Sequence, residues 1–278
     1  MKILSWNARG LNSQRKQRLL RKKVKNQYPD MIFLQETKCS NHRMKGISRN
    51  LGKIMEYTEV EGNGMEGGLA TFCNPHSLHL ISAEASRSYI SLEMQIIGES
   101  NTYLCTNIYN PQRLEDKLLM LGCLSKMKHR HSTGRAIYGG DFNMITSLAE
   151  NKGGVRTLNR YAKAFNSFIR VANLVDILPK NGLYTWNNKR GGERQIASRL
   201  DRFLIAEAIL LEGVTVESNI ITCGGSDHWP ITLDAVILST LKNKPFMFEK
   251  FWLGHPDFTS KIKHWWHELL DTRGTKMY

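Results

Sequence analysis

Gly225-Ser226-Asp227-His228-Trp229-Pro230-Ile231 sets an Asp-His pair just ahead of an apolar stretch. Short polar motifs of the same kind recur upstream. They are Ser5-Trp6-Asn7, Gln35-Glu36-Thr37, Asn107-Ile108-Tyr109-Asn110-Pro111, Gly139-Gly140-Asp141-Phe142-Asn143 and Ser198-Arg199-Leu200-Asp201-Arg202. Each follows or overlaps an apolar run of strand length. A single Asn or Asp after a strand is usually a turn former. A series drawn from the whole chain reads differently, as polar groups at strand ends converging on one site.

Working outward from these motifs, strands and helices alternate. Ile3-Leu4-Ser5-Trp6 reads as a first strand. Asn12 or Ser13 can cap a basic helix over about Gln14–Asn26, with Leu19, Leu20 and Val24 on a narrow apolar face. Met31-Ile32-Phe33-Leu34 is apolar on both faces and should be buried. An irregular glycine-bearing region follows, through Gly62, Gly64, Gly67 and Gly68. Leu69–Phe72, Tyr89–Met94 and Tyr103–Tyr109 read as strands, Leu114–Lys128 as a helix and Ala136–Tyr138 as a short strand. Arg160–Ala172 is an amphipathic helix. Tyr184-Thr185-Trp186, Leu200–Ile205 and Val214–Thr222 read as later strands. This order argues for mixed α/β layers. Lys242-Asn243-Lys244-Pro245 is a boundary signal. Beyond it a separate helix near Asp257–Leu270 would carry Phe258, Ile262, Trp265, Trp266 and Leu269 on one side.

The 278 residues suffice for one large α/β domain or two small ones, and 41% hydrophobic content excludes general disorder. The net charge of +14 favours a polyanionic partner. Residues 1–50 hold 13 Lys or Arg against two acids, Asp30 and Glu36. No apolar run approaches the ~20 residues that span a bilayer. Nucleic acid is therefore favoured over a membrane. The five cysteines are scattered without a C-x-x-C pair, which fits a reducing compartment better than a disulfide framework or zinc site.

Cleaving a phosphodiester requires neutralising the phosphate, positioning a water and stabilising the leaving oxygen. A hard cation such as Mg²⁺ does much of this and takes carboxylate oxygens. Glu36 is the expected main metal ligand, with Asp227 contributing to the metal side. Asp141 is the expected base or water-orienting group, beside a backbone kept slim by Gly139-Gly140. Asn143 would point to the same side if the chain stays extended, and would bond the phosphate. Asn7 would link metal and base, and Tyr109 would donate to a phosphate oxygen. His228, when protonated, would donate to the same phosphate, oriented by Asp201. Thr185, Ser226 and Arg9 are candidate substrate or network contacts.

The ordered set, Trp6-Asn7, Gln35-Glu36-Thr37, Ile108-Tyr109-x-Pro111, Gly140–Asn143, Arg199-Leu200-Asp201 and Ser226-Asp227-His228, resembles the endonuclease/exonuclease/phosphatase superfamily. Within it the chain is most similar to the apurinic-type endonuclease domain of plant LINE (non-LTR) retrotransposons. The resemblance covers residues 1–236; Lys244–Leu253 resembles the linker ahead of a reverse transcriptase. It implies a four-layered α/β/β/α sandwich, DNase I-like, of two mixed sheets with the site at one rim. It also implies Mg²⁺ or Mn²⁺ dependence, DNA as partner and a nick leaving a 3′-hydroxyl; a DNA substrate in turn points to a nuclear, otherwise intracellular, location. It carries the metal to Glu36, water activation to Asp141, the phosphate network to Asn143, Asn7 and Tyr109, and the imidazole pairing to His228 and Asp201.

Two departures stand out. Abasic-site repair members often carry an acid two residues after the first Asn, where this chain has Arg9. The resemblance also implies a downstream polymerase, whereas residues 237–278 offer only a linker and tail helix. The competing expectations are an abasic-site endonuclease or exonuclease of base excision repair, a phosphatase acting on small or lipid substrates, and a catalytically inactive DNA-binding remnant.

Overall fold

Ile3, Leu4, Ser5 and Trp6 alternate across one strand, and both of its faces are buried. Ile3 enters a core shared by two sheets, while Leu4 and Trp6 enter another beneath helices. That period of two, repeated in neighbouring strands, sets the layering. The structure is a computed structural model that describes residues 1–51, 55–62, 67–130, 134–154, 160–222, 224–237 and 257–272.

β1 (Lys2–Asn7) runs through α1 (Gln14–Gln27) into β2 (Met31–Gln35), its parallel neighbour. Ser13 caps α1 by accepting from the Lys16 N–H, and Tyr28 ends it in a left-handed conformation. α2 (Asn41–Arg49), β3 (Glu56–Val60) and β4 (Leu69–Cys73) follow, then β5 (Leu78–Ala85), β6 (Tyr89–Ile96), β7 (Thr102–Tyr109), α3 (Leu114–Arg130) and β8 (Ala136–Asp141). The later elements are β9 (Asn151–Lys152), α4 (Arg160–Val171), β10 (Leu174–Ile177), β11 (Trp186–Asn187), β12 (Ala197–Ser198) and β13 (Asp201–Ala206). α5 (Glu207–Leu211), β14 (Val214–Ile220) and β15 (Ile231–Ile237) complete this unit.

Two six-stranded mixed sheets result, ordered β14-β15-β1-β2-β4-β3 and β10-β13-β8-β7-β6-β5. A small three-stranded sheet, β11-β12-β9, lies apart from them in the pairing order. Phe33 and Met31 of the first sheet pack with Ile90, Ile137 and Phe203 of the second. On the outer faces, Leu20, Val24, Met44 and Ile47 cover the first sheet, and Leu121, Leu124, Phe165 and Phe168 cover the second. This is the four-layered α/β/β/α sandwich expected from the sequence. The chain falls into two compact units, Met1–Leu238 and Ser239–Tyr278. In the second unit α6 (Phe258–Thr272) carries exposed Ile262, Trp265 and Trp266.

Two expectations need correction. The stretch after Glu36 is not irregular throughout, because it holds α2 and β3. Of Tyr184-Thr185-Trp186 only Trp186 enters a strand, because Thr185 spends its hydroxyl on two backbone amides. The linker signal at 242–245, the linker-like segment 244–253, Gly64 and Cys223 lie outside the described residues.

Close approach of β7 and β8 needs Gly140. Its φ is +140°, and a Cβ there would lie 2.0 Å from the Ile108 carbonyl oxygen. No other residue fits without moving the strand. That close packing delivers Asp141 opposite Tyr109 in the parallel register. On the other side, β13 delivers Asp201 opposite Asp141 in the antiparallel register. Two carboxylates facing each other across a strand pair repel unless something lies between them.

Candidate active site

His228 is what lies between them. Its Nδ1 is 2.9 Å from Asp201 Oδ2, and its Nε2 is 3.8 Å from Asp141 Oδ2. All three residues are buried. Burial alone would lower the His228 pKa. The Asp201 and Asp141 carboxylates, with the Asp201 hydrogen bond, raise it to about 9. Burial pushes Asp141 up to about 6, against the opposing pull of His228 and of its hydrogen bonds from Asn7 and Asn143. The two acids thus favour the charged form of the imidazole between them.

Asn7, at the end of β1, ties this group to the next. Its Nδ2 donates to Asp141 Oδ2 at 2.9 Å and to Glu36 Oε1 at 3.1 Å. Glu36 sits just past β2 with a φ of 46°, which turns the chain where the strand ends. Arg9 Nε stands 3.7 Å from Glu36 Oε1, and Lys38 Nζ 3.5 Å from Glu36 Oε2. Burial, then Glu36 and Asp141, push the Tyr109 phenol up, so it stays neutral and able to donate. Arg9, Glu36, Lys38 and Tyr109 line a cleft of about 670 Å³ that also reaches Arg87 and Arg113.

The remaining expected residues take supporting positions. Asn143 is not extended. Its φ is 49°, its Nδ2 donates to the Asn110 carbonyl, and its backbone N–H donates to Asp141 Oδ1. Ser226 Oγ donates to the Asn7 carbonyl at 2.9 Å and accepts from the His228 N–H. Thr185 is fully buried, and its Oγ1 accepts from the Leu200 and Asp201 amides. Thr185 and Ser226 therefore hold Asp201 and His228 in place rather than facing a substrate. Asp227 Oδ2 accepts from Trp186 Nε1 at 2.9 Å, and its Oδ1 is 3.1 Å from Arg9 Nε.

Sequence reasoning assigned no role to several residues beneath the site. Asn107 donates to Leu34 O, Ala70 O and Thr71 Oγ1 and accepts from Gln35 Nε2, which also donates to Ser5. This polar knot crosses between the sheets below Glu36 and Tyr109. A polar Asn inside the apolar run Tyr103–Tyr109 was the available signal.

The donor chemistry suits a hard divalent cation at Glu36, whose oxygens already face two cationic groups. Asp141, Asp201 and His228 also lie close enough to form a ligand set, with their ligand atoms within 4.8 Å. A metal there would first have to displace the proton that the two acids favour on His228.

Known proteins share this fold. The chain is 23% identical over 255 residues to an exodeoxyribonuclease of Bacillus subtilis, covering 84% of this chain and 98% of that protein. The AP endonuclease LMAP of Leishmania major superposes with a TM-score of 0.70 at 16% identity, over 84% of this chain and 86% of that one. The endonuclease domain of TRAS1, a telomere-specific non-LTR retrotransposon, gives 0.64 at 14% identity, over 84% and 97%. The model of the Endonuclease/Exonuclease/phosphatase family matches residues 4–228, from the first strand to the imidazole of the site. With its sandwich, its strand-end acids and this match in agreement, the chain belongs to the Endonuclease/Exonuclease/phosphatase family.

Proposed function

We propose that the chain is a divalent-metal-dependent DNA endonuclease of retrotransposon origin that nicks one strand and leaves a 3′-hydroxyl. Residues 1–236 act as its catalytic domain, and 237–278 as the linker and tail helix that precede a reverse transcriptase in such elements. One observation carries the activity: Asn7 bridges Glu36 to Asp141, and Asp141 faces the imidazole that Asp201 holds. The likeness to the TRAS1 endonuclease domain supports the origin.

A bound Mg²⁺ or Mn²⁺ would supply charge neutralisation at the scissile phosphate. Glu36 would hold it, with Lys38 yielding its place. Asp141 takes the proton of the attacking water through a carboxylate oxygen. His228 donates from Nε2 to a phosphate oxygen, while Asp201 fixes Nδ1–H and the ring orientation. Tyr109 donates a hydrogen bond from its phenol to the same phosphate, and the departing 3′-oxygen takes its proton from solvent water. Asn7 keeps the carboxylates of Glu36 and Asp141 at fixed spacing.

The required forms are ionised Asp141 and protonated His228. Asp141 ionises above about 6, and His228 loses its proton above about 9. The kcat/KM profile should therefore rise through pH 6 and fall through pH 9. A profile that shows neither a rising limb near pH 6 nor a falling limb near pH 9 would remove the assigned roles.

The basic helix α1 offers a phosphate-binding face beside the site. Lys16 Nζ donates to the Ala8 and Arg9 carbonyls and so ties the helix to the turn after Asn7. Arg15, Arg18, Lys22 and Lys25 remain exposed. Neutralising those four should flatten the dependence of log K on log salt by ~0.9 for each phosphate that a side chain no longer neutralises. An unchanged slope, measured by anisotropy with duplex DNA, would place the DNA on another surface.

A repair reading rests on the exodeoxyribonuclease relative and the AP endonuclease fold. Nicking of supercoiled plasmid with and without EDTA tests the first reading, and an abasic-site duplex tests the second. Metal-dependent nicking of undamaged plasmid supports the endonuclease. Cleavage restricted to abasic duplex supports repair. Tight binding without cleavage of either leaves a DNA-binding remnant.

A further inference from the structure

Two carboxylates from opposite ends of the chain, Glu36 and Asp227, have a guanidinium between them. Arg9 Nε is 3.1 Å from Asp227 Oδ1 and 3.7 Å from Glu36 Oε1. Asp227 is committed on its other oxygen as well, to Trp186 Nε1. We infer that Arg9 is a built-in cation that takes the place of a second divalent ion, so that this site binds one metal only. The inference rests on the metal-dependent reading above and concerns its stoichiometry.

The backbone around Arg9 is fixed for this role. Its φ is 49°, its N–H donates to Asn7 Oδ1, and its carbonyl accepts from Lys16 Nζ at 2.7 Å. Neither hydrogen bond involves the guanidinium. The side chain is thus presented from a turn held by the same Asn7 that spaces Glu36 from Asp141. Lys38 differs. Its Nζ meets only Glu36 among the carboxylates of the described residues, at 3.5 Å on the oxygen that Arg9 does not approach. Of the two protein cations on Glu36, Lys38 is the one a divalent ion can displace. Arg9 stays, because it meets a second carboxylate, Asp227, as well as Glu36.

The roles separate in two substitutions. Arg9→Asp removes the fixed cation and puts a third carboxylate between Glu36 and Asp227, and Asp is among the residues that tolerate a left-handed backbone. Lys38→Ala removes only the displaceable cation. Mn²⁺ binding to the full chain is read by isothermal titration calorimetry and by electron paramagnetic resonance of free Mn²⁺, without DNA. The wild type should bind one Mn²⁺ per chain. Arg9→Asp should bind two. Lys38→Ala should still bind one, several-fold more tightly. Two ions on the wild type, or a folded Arg9→Asp chain that still binds one, would overturn the inference and leave the metal-dependent reading standing. No Mn²⁺ on the wild type would remove both. Should Arg9→Asp fail to fold, the wild-type stoichiometry decides alone.

Discussion

Asp141→Ala and His228→Ala are each expected to lower plasmid nicking by about 10²–10⁴-fold, while duplex affinity stays near that of the wild type. Either change removes a group that must move or donate a proton, and neither removes an exposed cation. The effects should also fail to multiply. Asp141 and His228 face each other at 3.8 Å and set each other's protonation. The double variant should therefore lose little more than either single one. Asp201→Asn supplies a control on the mechanism. Its carboxylate leads the forces that hold the His228 pKa up, so the falling limb of the pH profile should move to lower pH. Single-turnover nicking across about pH 5–10 reads both effects. Activity near wild type in Asp141→Ala or His228→Ala would end the assignment of this site.

Much of the site was legible because its chemistry is carried by residue types that strands rarely end on by chance in such a series. Glu36, Asp141 and His228 stand out by their position relative to apolar runs; β2 lies beside β1 in the first sheet, and β8 lies between β7 and β13 in the second. The two-sheet sandwich was legible through the family resemblance, whereas the alternation of strands and helices by itself indicated only mixed α/β layers. What escaped was conformation at single residues. Asn143 would share the side of Asp141 only on an extended backbone, and a left-handed backbone turns its side chain to Asn110 instead. Thr185 and Ser226 were read by the reach of their hydroxyls. Only the fold shows that backbone groups already claim those hydroxyls. Helix α2 escaped because its mix of Asn41, His42, Arg43, Lys45 and Gly46 leaves only Met44 and Ile47 as buried anchors. Arg199 and Arg202 lie within a motif but carry no role legible in the sequence, because arginine is normally an exposed residue.

Those two arginines lead to the largest expected loss of stability. Both guanidiniums are fully buried. Arg199 donates to Glu150 at 2.7 Å and pairs in two-pronged fashion with Asp176, at 2.6 and 2.8 Å. Arg202 donates to Glu150 at 2.9 and 3.1 Å and to Asp176 at 2.7 Å. Glu150 is thus shared by two buried cations, and Arg202, Arg199 and the Thr146 amide outweigh its burial and hold its carboxyl down at about 2. Glu150→Ala leaves both guanidiniums short of a partner in the protein interior. The expected loss is about 3–5 kcal/mol, read as a lower urea midpoint at unchanged m. The sign with pH is fixed by the lowered pKa. The contribution is whole above the unfolded value of 4.5 and is lost as pH falls from there through about 2. Glu150→Ala should therefore destabilise most at neutral pH and least in acid. The network flanks the site directly, because Asp201 lies between Arg199 and Arg202 at the start of β13. A Glu150→Ala chain that remains folded should keep its kcat only while that strand end stays paired with Asp141. A midpoint unmoved at neutral pH would show that Asp176 alone satisfies both guanidiniums.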